Sequence, residues 1–221
     1  VPTTRTLHGD TFVDDYFWMR EKDSPPVLER LRAEAAYAEQ VMAPLAPLRD
    51  VLFAEIVSHI AEDDETVPVK DGAWLYWRRT VKGLGYPVHL RKPVKGGSEE
   101  IVLDVNRLAE GKAFLGIGDL ETSDDGKLLL YATDETGFRV YDLRVRDLAS
   151  GADLGDVIPK VVTATWAADN KTVVYVVEDA AKRPYRAYRH TLGTDPKDDV
   201  LLYEEADGRF ELYCWRMTSK D

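Results

Sequence analysis

Ser123-Asp124-Asp125-Gly126-Lys127 runs into Leu128-Leu129-Leu130-Tyr131, and 44 residues later Ala167-Ala168-Asp169-Asn170-Lys171 runs into Thr172-Val173-Val174-Tyr175. At the same offset Leu148 matches Leu192, so the register holds across the whole unit. Another copy opens at Thr218-Ser219-Lys220-Asp221, echoing Thr122-Ser123-Asp124-Asp125. A period of this length with several short strands per unit is the mark of a β-propeller blade, whose faces are buried only against neighbouring blades. Two hairpins alike by chance, because Asp-Gly turns are common, would not be expected to keep step at both ends of the unit.

The strand signals extend over residues 71–221. They are short runs rich in Val, Tyr, Leu and Trp: Trp74–Arg78, Ile101–Val105, Leu128–Thr133, Val140–Leu148, Thr172–Glu178, Arg186–Leu192, Val200–Glu204 and Phe210–Met217. Turn pairs separate them at Asp71-Gly72, Gly96-Gly97, Asp125-Gly126, Ser150-Gly151, Asp169-Asn170 and Asp207-Gly208. No room remains for crossover helices, which excludes a parallel α/β sheet here. These residues amount to about 3.4 blades, against the four to eight that usually close a ring.

Residues 1–70 follow another period. Ser24-Pro25 reads as an N-cap with proline at the first helical position. Leu28, Leu31, Ala35, Ala38, Met42 and Leu45 then fall on one helical stripe. Pro44 and Pro47 break that helix, and Leu48, Leu52, Ile56 and Ile60, with Val51 alongside, mark a second. The expected arrangement is a helical hairpin whose apolar stripes need another body to lie against. Charge divides the same way: residues 1–70 hold 14 acidic and 7 basic side chains, and residues 71–221 hold 26 and 22. The expected fold class is therefore mainly β with an N-terminal helical hairpin, as two parts, 1–70 and 71–221.

A net charge of −11 opposes binding to a nucleic-acid backbone and gives no attraction to anionic membranes. No apolar run exceeds five residues, too short to span a bilayer as a helix. One cysteine, Cys214, excludes an internal disulfide and suits a reducing, cytoplasmic compartment. The chain starts at Val1 without a leader pattern and ends inside a repeat, as expected of a piece of a longer protein.

No motif here carries a complete reaction. Gly96-Gly97-Ser98-Glu99-Glu100 has glutamate where a nucleophile elbow needs glycine, and it lies between strand signals, so it reads as a loop. His8, His59, His89 and His190 fall in four separate elements without metal-ligand spacing, and read as structural. Glu62-Asp63-Asp64-Glu65 lacks the alternating ligands and turn glycine of a calcium loop, and reads as a solvated acidic stretch. Gly83/Gly85 and Gly116/Gly118 lack the context of a nucleotide loop, and Asn170-Lys171-Thr172 matches a glycosylation sequon inside a repeat turn. No catalytic, cofactor-binding or metal residue is assigned, and no cofactor is expected.

Ordered stretches nevertheless resemble one family. They are His8-Gly9-Asp10 through Asp14–Arg20, Ala35–Glu39, Glu55-Ile56 leading to Glu62-Asp63-Asp64, Val67-Pro68 and Gly85-Tyr86-Pro87. Leu103–Asn106, Ser123–Gly126, Trp166–Asn170, Arg183–His190, Leu192–Asp195 and Tyr203–Glu205 continue the series. Together they resemble the N-terminal portion of the oligopeptidase B (protease II) branch of the prolyl oligopeptidase family of serine peptidases. The resemblance implies a partial propeller, about three blades of seven. It further implies that the helical segment packs on an α/β-hydrolase domain absent from this chain. That domain would carry the Ser, Asp and His of the triad and most of the acidic residues that select Lys or Arg. The implied activity is hydrolysis of short peptides after Lys or Arg, the propeller acting as a size-selective gate. The expected partners are that C-terminal domain and short basic peptides, and this chain alone should be inactive. The competing expectation is a non-catalytic propeller-like binding or scaffold module.

Overall fold

A computed structural model describes residues 2–217. It divides into two compact units, the first ending at Ala61 and the second beginning at Glu62. Residues 62–70, grouped by charge with the helices, thus belong to the β unit, because their backbone pairs with its first sheet.

The first unit opens with a hairpin that the sequence patterns did not reveal, β1 (Thr3–Leu7) against β2 (Asp10–Asp14). Its two-residue turn needs positive φ at both positions, supplied by His8 at 52° and Gly9 at 90°. After a short 3₁₀ turn, α1 (Pro25–Met42) and α2 (Ala46–Ser58) form a helical region of about 34 residues. Ser24 sits at the N-cap in extended conformation and its carbonyl accepts from Leu28 N, but its hydroxyl caps nothing. The expected hairpin is a bend instead. Residues 43–45 form a 3₁₀ turn, the flanking dihedrals stay in the right-handed helical region, and the helices do not pair side by side. Pro44 and Pro47 fall in the first turns of their segments, where a missing N–H breaks no ladder bond. Of this helical region only Val27 is buried.

The second unit contains three antiparallel sheets in sequence order. The first has β3 (Asp64–Glu65) and β4 (Val69–Asp71) along β5 (Trp74–Thr80), followed by β6 (Val88–Pro93) and β7 (Glu100–Asp104). A short helix, α3 (Val105–Ala109), follows, capped by the Asp104 carboxylate accepting from Asn106 N and Arg107 N. The second sheet is β8 (Gly116–Thr122), β9 (Leu128–Asp134), β10 (Asp142–Asp147) and β11 (Asp153–Ile158). The third is β12 (Val161–Trp166), β13 (Thr172–Glu178), β14 (Pro184–Thr191) and β15 (Val200–Glu204). Each is an up-and-down meander, and the leading strands β8 and β12 lie against each other. This is the partial propeller, with three blades described.

The repeat is carried by hydrogen bonds at matching places. Leu148 N donates to Lys127 O and Leu192 N to Lys171 O, both at 2.9 Å. Tyr131 Oη donates to Asp153 at 2.8 Å, and Tyr175 Oη donates to Asp199 at 2.7 Å. The turns place Gly126 at φ 70° and Asn170 at φ 56°, both left-handed. A Cβ on Gly126 would meet the Trp74 indole at 2.6 Å, so that turn has two reasons for glycine.

β9 explains how blades stack. Leu129 and Tyr131 enter a core with Val102, Leu103 and Val105 of the first sheet and its following helix. Leu130 and Ala132 enter another with Trp166, Val173 and Tyr175 of the third sheet. Alternate residues of one strand thus serve two interfaces, which is why it reads as an unbroken apolar run.

One expectation changes here. Phe210–Met217 forms no strand: Leu212 N donates to Pro184 O and Cys214 N to the Thr163 hydroxyl, so its amides are used outside a ladder. The repeat copy at 218–221 lies outside the described residues.

Candidate functional site

The motifs singled out by residue type are dispersed. Ser98 lies in the loop joining the antiparallel strands β6 and β7, without the strand-to-helix turn of a nucleophile elbow. Its neighbour Glu99 is gripped through both oxygens by Arg79, at 2.8 and 3.0 Å, and this bonding holds its carboxyl below the usual range. Arg79 also bonds Glu65, Lys82 pairs with Glu62 at 2.8 Å, and Asp63 accepts from Lys82 N at 2.7 Å. The acidic stretch 62–65 is therefore bonded to the first sheet, not merely solvated. Gly118 packs under Tyr141 and Ala132, and Asn170 accepts from Asp125 N of the preceding blade at 3.1 Å.

The histidines stay apart: His8 in the first hairpin turn, His59 at the end of α2, His89 on β6 and His190 on β14. His190 is the one that residue spacing undervalued. It is fully buried, with Nδ1 2.7 Å from Asp199 and Nε2 3.0 Å from Asp156. Gly193 N donates to Asp156 at 2.6 Å and Tyr175 to the other Asp199 oxygen. One repeat earlier the same place holds Arg146, which donates to Asp153 at 2.7 Å and to the Tyr131 hydroxyl at 3.2 Å. The signal was available in the 44-residue offset between Arg146 and His190. The network ties β11 of the second sheet to β14 and the turn after it in the third, joining neighbouring blades.

The candidate site lies where successive sheets meet along β8 and β12. Between the second and third sheets is a cavity of about 480 Å³ lined by Asp119, Glu121, Thr163, Thr165, Cys214 and Arg216. Burial pushes the Asp119, Glu121 and Cys214 groups up, favouring their neutral forms. Asp119 accepts from Ala164 N at 2.6 Å, and Glu121 O accepts from the Trp166 indole at 3.1 Å, so β8 is tied to β12 by side chains. Between the first and second sheets a cavity of about 510 Å³ is lined by Arg78, Tyr86, His89, Ile117, Gly118 and Asp119. Burial, then the charge of Arg78, push the His89 imidazole down. Among the described residues no serine or cysteine is hydrogen-bonded to a histidine, and no group of three His, Cys, Asp or Glu could hold a metal. These cavities are walled by acidic, basic and hydroxyl side chains together with apolar ones. They present no activated nucleophile.

Comparison with known proteins agrees with this geometry. The family model for the prolyl oligopeptidase N-terminal β-propeller domain matches residues 1–220. The chain is similar to dipeptidyl aminopeptidase BI of Pseudoxanthomonas mexicana, 37% identical over 93% of this chain and 31% of that protein. It is also similar to protease 2 of Moraxella lacunata, 31% identical over 99% of this chain and 33% of that protein. Among solved structures, oligopeptidase B from Leishmania major matches with a TM-score of 0.89 and 28% identity, over 98% of this chain and 33% of that one. The chain thus spans about a third of the length of the relatives it matches.

Proposed function

This chain belongs to the prolyl oligopeptidase family, whose N-terminal β-propeller domain it carries, and from that premise we propose that it is the substrate-admitting part of a serine oligopeptidase. In this reading the nucleophile and its partners lie in a C-terminal α/β-hydrolase domain of the parent chain. The propeller admits short flexible peptides past its inner strands and turns folded proteins away. This chain alone is inactive, the parent needs no cofactor, and it works in the cytoplasm. The preferred cleavage is after Lys or Arg, and the net charge of −11 favours the approach of basic peptides.

The observation that carries the reading is the match of nearly the whole chain to oligopeptidase B from Leishmania major, in both fold and residue identity. The 37% identity to a dipeptidyl aminopeptidase supports a second reading, release of dipeptides from a free N-terminus. One assay separates the two. The full-length parent is given an arginyl peptide with its N-terminus free or acetylated, and the products are identified by mass. Cleavage after arginine in both forms supports the oligopeptidase, and loss of dipeptides from the free form alone supports the aminopeptidase. No cleavage of either would leave the scaffold module as the better account.

A further inference from the structure

On the face of the first sheet that looks toward the second, two arginines stand in opposite circumstances. At one end Arg91 is buried, stacked 3.8 Å from the Trp74 ring centroid, and donates to Glu100 at 2.9 Å and to Gly126 O. At the other end Arg78 is exposed, and no carboxylate of the described residues lies within salt-bridge distance of it. Its cross-strand partner is His89, directly opposite in the β5–β6 register and on the same face. A basic pair placed opposite without a counter-ion is unfavourable in a sheet, and burial with the Arg78 charge depresses the His89 imidazole accordingly.

Both side chains line the 510 Å³ cavity between the first and second sheets. Its walls are preformed. Tyr86 N donates to Asn106 Oδ1 at 3.0 Å and Asn106 Nδ2 donates to Tyr86 O at 2.9 Å, which pins the β5–β6 loop to α3. Tyr86, Pro87, Ile117 and Leu120 give it apolar sides. Asp119 on the far wall is held by Ala164 N of the next sheet. A guanidinium fork matches a carboxylate through two parallel hydrogen bonds, and an imidazole opposite adds a further donor.

We propose that Arg78 and His89 form a carboxylate-binding pair that takes the C-terminal carboxylate of an oligopeptide lying in this cavity. The inference rests on the peptidase reading for its choice of ligand. It would give the parent a means of anchoring unblocked short peptides beside the leading strand β8, whatever side chain precedes the scissile bond.

The test uses the full-length parent and an arginyl hexapeptide whose scissile amide is N-methylated, so that it binds without being cut. Calorimetry compares the peptide acid, the peptide amide, and an amide ending in glutamate. The acid should bind about ten- to a hundredfold more tightly than the plain amide, the range of a charge-assisted hydrogen bond. Arg78→Gln should bring that ratio close to one with the amide affinity unchanged, and Arg78→Lys should leave an intermediate ratio. Arg78 is exposed, so an unchanged thermal midpoint checks that both variants fold. Binding of the glutamyl amide as tight as the acid would support the pair as a carboxylate reader and move its source to a side chain. Equal binding of acid and amide by wild type, no binding of either, or discrimination that survives Arg78→Gln overturns the proposal. Hydrolysis of the unmethylated peptide is scored separately: a parent that discriminates without cutting fails the peptidase reading and keeps this one.

Discussion

His190 shows what one buried side chain is asked to do in a blade. It stands between Asp156 and Asp199, and its repeat equivalent Arg146 stands beside Asp153. Replacing it with leucine removes the ring nitrogen that each carboxylate faces, at about 1–3 kcal/mol for a buried polar group left unsatisfied. Chemical denaturation of His190→Leu in the parent should show a loss of that size in the propeller transition. Asp134 makes a different prediction. Burial raises its carboxyl, but the Thr136 hydroxyl and the amides of Thr136, Arg139 and Gly137 outweigh that, so it lies below the ordinary carboxylate range. A folded value below the unfolded one means stability that is complete above about pH 5 and lost as pH falls through 4 and below. Asp134→Asn should therefore be less stable than wild type at pH 7, with the gap in thermal midpoint closing between pH 4 and 2. At this scale the sequence was only partly legible. Gly126 and Asn170 announced their turns, because positive φ leaves few choices of residue. His190 looked ordinary because its meaning lies in two partners, Asp156 on β11 and Asp199 just before β15, that the fold brings to it.

Among elements, those that pack on both faces were the easiest to read. β9 is a continuous apolar run because it serves two interfaces, and Leu130→Ala should cost about 2–5 kcal/mol by opening a void against Trp166 and Val173. Denaturant midpoints at unchanged m-value would measure that. β8 and β11 escaped notice because sheet neighbours impose their extended form more than their own residues do: Gly116 and Gly118 sit inside β8 and Gly155 inside β11. β12 was passed over although Val161, Val162, Thr163, Thr165 and Trp166 are strand formers. Phe210–Met217 erred the other way, with strand-forming residues that make no ladder. The helices were found by period and misjudged in direction. Prolines in their first turns permit a bend as readily as a reversal, and period alone does not distinguish the two.

For the whole molecule, the apolar surface left open is the governing fact. Leu48, Val51, Leu52, Phe53, Ile56 and Ile60 of the second helix and its C-terminal flank are each roughly half exposed or more, as are Leu202 and Tyr203 on the last strand. Large apolar side chains exposed in series along one helix are the kind of surface that binds another body. The 221-residue chain expressed alone should elute as concentration-dependent assemblies, and sharp monomeric elution over a hundredfold dilution would count against this. The partial propeller was legible because blades repeat, and repetition reveals a fold even where single strands are missed. The cavities were not, since Arg78, His89 and Asp119 meet only after three strands from two sheets are brought together. The proposed admission of short peptides by the parent is tested by one comparison. A ten-residue arginyl peptide and the same sequence held in a surface loop of a stably folded protein are offered to the full-length parent at equal concentration. The peptide should be cut and the folded protein stay intact until it is denatured; equal rates for the two would rule out size selection by the propeller.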